Sequence, residues 1–173
     1  MYSGPQVNLQ QLLDCKEQRA YRQREWVNTH SLPLISFTIN MVGVVKKNAI
    51  SEKAFDAGYY AILETCLANN IAVVRMETVV EVTGYELLIA AKCEDPYRLK
   101  CLMVKLEENH HYGRLFDIDV ISTSGLPMSR EMLRLPKRRC LLCENEAKSC
   151  ARNRTHPLSE LIHKMSEITH DCQ

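Results

Sequence analysis

The chain has 173 residues, 46% of them hydrophobic, and 22 basic side chains nearly balance 21 acidic ones for a net charge of +1. A chain of this length forms one domain that buries about 70% of its unfolded surface and needs no disulfide staples. The near-neutral charge argues against a protein built mainly to coat nucleic acid or membrane. No apolar run approaches the length of a membrane span, and no basic region followed by an apolar core marks a targeting segment. A cytoplasmic protein is expected, with its eight cysteines reduced.

In chain order, Leu9, Leu12 and Leu13 stand at helical spacing, with Arg19, Arg22 and Arg24 on a charged face; an amphipathic helix is predicted over residues 9 to about 28. After Pro33 the alternation over residues 34–40 predicts a half-buried strand. Ser51 is the expected N-cap of a second helix with the apolar stripe Phe55, Tyr59, Ile62, Leu63 and Cys66, ended by Asn69-Asn70. Residues 71–82 and 85–91 read as strands joined at a Thr83-Gly84 hairpin turn. Asp95-Pro96 opens a helix through Leu99, Leu102, Met103 and Leu106, with proline in the first turn, where its missing N–H does no harm. Residues 115–121 form the last strand. From Ser124 regular pattern is poor until Leu158, Leu161, Ile162 and Met165 predict a short terminal helix.

Strand, helix, strand, strand, helix, strand is the split βαβ order. The expected fold is α+β: a ferredoxin-like, four-stranded antiparallel sheet with both helices on one face, an N-terminal helix before it and a Cys-rich extension after it. Residues 1–173 are read as a single domain, with a core at about 32–122 and a Cys-rich, basic segment at about 129–170.

Chemistry concentrates in the last strand. Side chains alternate along a strand, so Asp117 and Asp119 project from one face while Phe116, Ile118 and Val120 project from the other. Two carboxylates about 7 Å apart can share a hard divalent cation. Such a pair serves enzymes that attack a phosphoryl centre, because Mg²⁺ offsets the charge that builds on the oxygens. A bare Asp-x-Asp is equally an edge strand with acids on its solvent face. In the split βαβ order the last strand lies beside the first, so Ser36, Thr38 and Asn40 are expected to share the open face with the acids. The first strand runs into Gly43 and then Lys46-Lys47 before a helix, which reads as a phosphate cradle of basic side chains and helix N-terminal N–H groups.

Two features mark the C-terminal third. Between Arg130 and Arg154 eight Lys or Arg face three Glu, an excess that suits an anionic ligand or an acidic partner, or is simply a solvated loop. Cys140, Cys143, Cys150 and His156 can complete a tetrahedral zinc site of three thiolates and an imidazole. That spacing also admits plain packing or, less readily, a redox Cys-x-x-Cys. The cysteines at 15, 66, 93 and 101 read as small buried residues.

The runs Gly113-Arg114-Leu115-Phe116-Asp117-Ile118-Asp119-Val120, Ser129-Arg130, Arg139-Cys140-Leu141-Leu142-Cys143 and Cys150-Ala151-Arg152 through His156, in this order, resemble the citrate lyase holo-acyl-carrier-protein synthase family. These are the apo-citrate lyase phosphoribosyl-dephospho-CoA transferases. The resemblance extends upstream to Arg19, Arg22 and Gln23, to Ser36-Phe37-Thr38, and to Gly43 with Lys46.

The resemblance implies an enzyme that takes triphosphoribosyl-dephospho-CoA and attaches it through a phosphodiester to a serine of the apo-acyl carrier protein of citrate lyase, releasing pyrophosphate. It implies Mg²⁺ on Asp117 and Asp119, outer phosphates on Lys46 and Lys47, and the central phosphate on Arg114. Arg130, Arg139 and Arg152 are assigned to the other anionic groups of the substrate or to the carrier, and His110, with His111 beside it, to the general base. Neither nucleic acid nor membrane is an expected partner. Two departures fall in loops: Val42-Gly43-Val44 stands where the family has Pro-Gly-Pro, and His111-Tyr112-Gly113 where it has Pro-Leu-Gly. The alternative reading is a non-catalytic zinc-knuckle module that binds RNA or protein through the basic segment, and it needs neither Asp117 nor Asp119.

Overall fold

The structure, a computed structural model, describes residues 1–170; the end of the expected 1–173 domain, with Cys172, lies outside them. Helix α1 (Leu9–His30) starts at a reciprocal capping box, in which Asn8 Oδ1 accepts from Gln11 N and Gln11 Oε1 accepts from Asn8 N, both at 2.9 Å. Strand β1 (Leu34–Ile39) leads through a loop to α2 (Ala49–Ala68). Asn48, and not Ser51, caps α2. Its Oδ1 accepts from Ile50 N and Ser51 N, and Ser51 Oγ returns the bond to Asn48 N. Asn and Ser three residues apart both suit the role, and the reciprocal box places the earlier one at the cap.

Strands β2 (Ala72–Glu81) and β3 (Gly84–Lys92) form a hairpin whose turn is Val82-Thr83, one residue before the expected position. Helix α3 (Pro96–Asn109) is capped by Asp95, which accepts from Tyr97 N at 2.9 Å. Residues Gly113–Leu115 make a 3₁₀ turn and β4 (Phe116–Ile121) follows, so Leu115 precedes the strand instead of opening it. A second 3₁₀ turn, Glu131–Leu133, and helix α4 (Ala147–Asn153) occupy the stretch read as irregular, and α5 (Leu158–His170) ends the described chain.

The strands pair antiparallel in the order β2-β3-β1-β4. On one face Ile35, Phe37, Leu87, Ile89, Phe116 and Ile118 meet α2 and α3 in the main core. Gly58 lets α2 approach: a Cβ there would lie 2.2 Å from Phe37 Cζ. The opposite face is not left open. Trp26 and Val27 of α1 cover Leu34, Leu88, Ala90 and Ile121 at one end of it, and Arg75 lies 4.0 Å over the Trp26 ring. The sheet is therefore sandwiched, and the polar half of the second face lies under the N-terminal half of α1.

Candidate functional site

Cross-strand register builds the polar half. Ser36 lies opposite Asp119, and Thr38 lies opposite both Asp117 and Glu86. Above them α1 turns Cys15, Arg19, Arg22 and Gln23 down onto the sheet. Gln23 Nε2 donates to Ser36 Oγ at 3.0 Å, while Arg19 and Arg22 donate to the two oxygens of the buried Glu86 at 2.7 and 2.5 Å. Burial alone would push the Glu86 carboxyl up, but the hydrogen bond and charge of Arg19, with help from Cys15 and Arg22, hold it below its ordinary range. Cys15 is thus no inert packing group, since its thiol donates to Glu86 Oε1 at 2.9 Å.

Asp117 and Asp119 share this face and keep contact with solvent. Neither carboxylate has a hydrogen bond or salt bridge among the described residues. Burial, and next the charge of Asp117, raise the Asp119 carboxyl above its ordinary value. Two unpaired carboxylates that repel each other fit a hard divalent cation, which would relieve both the repulsion and the missing partners.

A cleft of about 310 Å³ opens between Asp117 and the loop after β1, and Lys16, Arg19, Thr38, Lys46 and Ser51 also line it. The loop is fixed. Gly43 has φ +73°, which favours glycine, and a Cβ there would meet Tyr2 Oη at 2.1 Å. Tyr2 Oη donates to Val42 O at 3.3 Å and accepts from Val45 N at 3.2 Å, and Val7 N donates to Val44 O. The N-terminal segment thus supplies the restraint that Val42-Gly43-Val44 lacks. Lys46 Nζ donates to Met41 O, and burial, with the charge of Lys16, lowers its ammonium from its ordinary value. The expected helix N-terminal cradle is not formed, because Asn48 already takes the Ile50 and Ser51 N–H groups. What the loop offers an anion is therefore cationic side chains and not helix N–H groups.

A second cleft of about 830 Å³ adjoins the first and shares Asn40, Met41 and Lys46 with it. Its rim is basic, with Arg114, Arg138, Arg139 and Arg154, and its apolar side includes Leu158 and Leu161 of α5. One wall is the cysteine cluster. Cys140, Cys143, Cys150 and His156 present one ligand atom each, all within 4.8 Å of one another. Cys143 Sγ lies 3.5 Å from Cys150 Sγ and 3.3 Å from His156 Nε2. Burial opposes ionisation of Cys140, but the Leu142 and Cys143 N–H groups, then the neighbouring thiols, bring it down to about 7. This is a donor set able to hold a metal ion.

The remaining expected residues are scattered. His110 ends α3 and its ring lies 4.9 Å from that of Phe116, on the helix side of the sheet, because Phe116 and Asp117 project to opposite faces. Burial, with the charge of His111, lowers the His110 pKa. Its Nδ1 accepts from Tyr112 N, and the fold does not bring it to the acid pair. Arg130 is paired with Glu107 at 2.6 Å and Glu108 at 3.4 Å, and Glu107 in turn accepts from Ile118 N, so that trio braces β4 from behind. Lys47 and Arg152 line neither cleft.

Arg138 and Arg154 belong to the basic run and had no role of their own in the sequence reading, and Lys16 had not been singled out. The signal for Lys16 was its place one turn from Leu12 and Arg19 on a single helix stripe. The charged face of that helix had been read from Arg19, Arg22 and Arg24 alone.

The α+β fold sets Asp117 of the acid pair at a cleft with Lys16, Arg19 and Lys46, an arrangement whose chemistry suits an anionic, phosphate-bearing ligand. Residues 7–172 match the family model described as apo-citrate lyase phosphoribosyl-dephospho-CoA transferase. A protein of Vibrio cholerae named "Probable apo-citrate lyase phosphoribosyl-dephospho-CoA transferase" is 47% identical over 165 residues, covering 95% of this chain and 93% of that one. Relatives of the same name, without the qualifier, are 37% identical in Citrobacter koseri (96% and 90% covered) and 36% identical in Escherichia coli (95% and 90% covered). The chain belongs to the apo-citrate lyase phosphoribosyl-dephospho-CoA transferase family.

Proposed function

We propose that this protein transfers the 2'-(5''-triphosphoribosyl)-3'-dephospho-CoA group to a serine of the apo-acyl carrier protein of citrate lyase, with release of pyrophosphate. Beyond family membership, one observation carries the reading: Asp117, which has no hydrogen bond or salt bridge among the described residues, lines a basic cleft that continues into a larger one, and Asp119 stands two residues along on the same strand face. The carrier's serine oxygen forms a bond to the phosphorus next to the ribose, the bond to pyrophosphate breaks, and the hydroxyl proton passes to solvent.

Asp117 and Asp119 are the residues that would hold Mg²⁺, which when bound supplies charge neutralisation at the phosphoryl oxygens. Lys46, at the junction of the two clefts, orients the polyphosphate. Arg139 and the basic rim of the larger cleft hold the dephospho-CoA portion against the apolar side of α5. Arg114 stands at the same rim, with one guanidinium nitrogen already donated to Cys140 O. The reading also assigns zinc to Cys140, Cys143, Cys150 and His156 as a structural ion. A tetrahedron of Zn–S bonds has edges of about 3.8 Å, close to the separations among these atoms.

The sheet order supports a ferredoxin-like plan within one domain, and the reading places the protein in the cytoplasm. The zinc-knuckle RNA- or protein-binding alternative is not favoured: it gives the acid pair no work, and the relatives carry the name of a transferase. Pyrophosphate release tests the proposal. It is expected only when apo-carrier, triphosphoribosyl-dephospho-CoA and Mg²⁺ are all present, and release that ignores the carrier would contradict it.

A further inference from the structure

The polar end of α1 remains unexplained by the acid pair and Lys46. Lys16 is exposed and carries no hydrogen bond or salt bridge among the described residues, yet it borders the smaller cleft with Lys46. Arg19 borders the same cleft. It spends one guanidinium nitrogen on Glu86 at 2.7 Å and has a buried Nε with no partner among the described residues. A buried guanidinium N–H without an acceptor is costly, and the residue that carries it borders a cleft with two ammonium groups. Asp117 is the carboxylate at that cleft.

We infer that Lys16 and Arg19 of the N-terminal helix, together with Lys46, form a polyphosphate cradle opposite Asp117, and that Glu86 is the positioning residue that aims Arg19 into it. An oligophosphate chain has the chemistry this site lacks: several anionic acceptors along a line, for cations drawn from two separate elements. The buried Glu86 carboxylate accepts from both Arg19 and Arg22, which fixes α1 over the sheet and keeps the Arg19 head from swinging to solvent. The helix that precedes the sheet is then part of the site and no mere cover. This inference rests on the transferase reading and adds that the leaving pyrophosphate is held by α1.

The test is equilibrium binding of inorganic tripolyphosphate, with Mg²⁺, to the full-length protein and its variants, beside the KM and kcat of carrier modification. Lys16→Ala is the primary variant, because an exposed lysine is removable without unfolding. It is expected to weaken tripolyphosphate binding and raise KM by about tenfold to a hundredfold, the usual worth of a charge-assisted bond. Melting should not change, and Lys16→Arg should restore most of the loss. Glu86→Gln keeps the shape of the side chain and should weaken tripolyphosphate binding while the protein stays folded.

The cradle is overturned if Lys16→Ala binds tripolyphosphate as tightly as the unaltered protein, or if the unaltered protein modifies the carrier but binds no tripolyphosphate. In both cases the transferase reading stands. If the unaltered protein fails to modify a validated apo-carrier, the transferase reading falls and the assignment of leaving-group binding falls with it.

Discussion

Arg114 and Arg138 are crossed. Arg114 Nη2 donates to Cys140 O at 2.6 Å, and Arg138 Nη2 donates back to Gly113 O at 3.3 Å, to Arg114 O at 3.2 Å and to Phe116 O. The turn that launches β4 and the segment that starts the cysteine cluster are thereby tied by reciprocal guanidinium–carbonyl bonds. Since β4 carries the acid pair and the cluster walls the larger cleft, the cysteine cluster and the acid strand are mechanically joined.

The first consequence concerns the metal. Purified protein is expected to contain one zinc per chain, measured by elemental analysis, and Cys140→Ser to lose it. Removal of the zinc should raise the KM for the nucleotide substrate more than it lowers kcat, because the cleft wall loosens while Asp117 and Asp119 stay on their strand. A folded, fully active protein free of zinc would refute the structural role.

For the acid pair, Asp117→Asn and Asp119→Asn are each expected to lower kcat by about a thousandfold, on the order of 4 kcal/mol of transition-state stabilisation. Both side chains are exposed and have no hydrogen bond or salt bridge among the described residues, so circular dichroism and melting should show an intact fold. Activity that persists in the double variant would remove the pair from the mechanism.

The pH dependence follows from two opposed carboxylates. Asp119 has a folded pKa above its ordinary 3.8, so the folded state binds its proton more tightly than the unfolded one. Its contribution to stability therefore falls as pH rises from about 3.8 through the raised value. Glu86 has a folded pKa below its ordinary 4.5, so its contribution is complete above 4.5 and is lost as pH falls through the lowered value. Without divalent metal, urea denaturation should show Asp119→Asn gaining stability over the unaltered protein at neutral pH and losing that advantage in acid. Added Mg²⁺ should shrink the difference at neutral pH.

At the loop before α2, Gly43→Ala is expected to destabilise by about 1–2 kcal/mol, from the positive φ and the collision with Tyr2. Tyr2→Phe removes the bonds to Val42 and Val45 and should also raise KM, since Lys46 hangs from the same loop. A Gly43→Ala protein with unchanged melting would show that the loop is not pinned as described.

What was legible in the sequence was mostly local. Alternation fixed which side of β4 carries Asp117 and Asp119, and period and caps placed α1, α3 and the sheet strands within a few residues. Helix α4 was missed because Ala147–Asn153 has no apolar stripe; only Cys150 of it is buried. The docking of α1 was illegible for a different reason. A row of cations on a helix looks solvated until the fold sets a buried carboxylate such as Glu86 beneath it, and Glu86 lies 67 residues from Arg19. His110 failed as a neighbour of the acids because chain proximity to Asp117 says nothing about sheet face. The interlock of Arg114 with Arg138 likewise depends on tertiary contact, which spacing does not encode.

The measurement that bears most directly on the account is the intact mass of the apo-acyl carrier subunit of citrate lyase after incubation with this protein, Mg²⁺ and triphosphoribosyl-dephospho-CoA. The account predicts a gain equal to the substrate less pyrophosphate, on a serine, and no gain with the Asp117→Asn, Asp119→Asn double variant. An unchanged carrier mass with validated substrates, or an equal gain with the double variant, would contradict it.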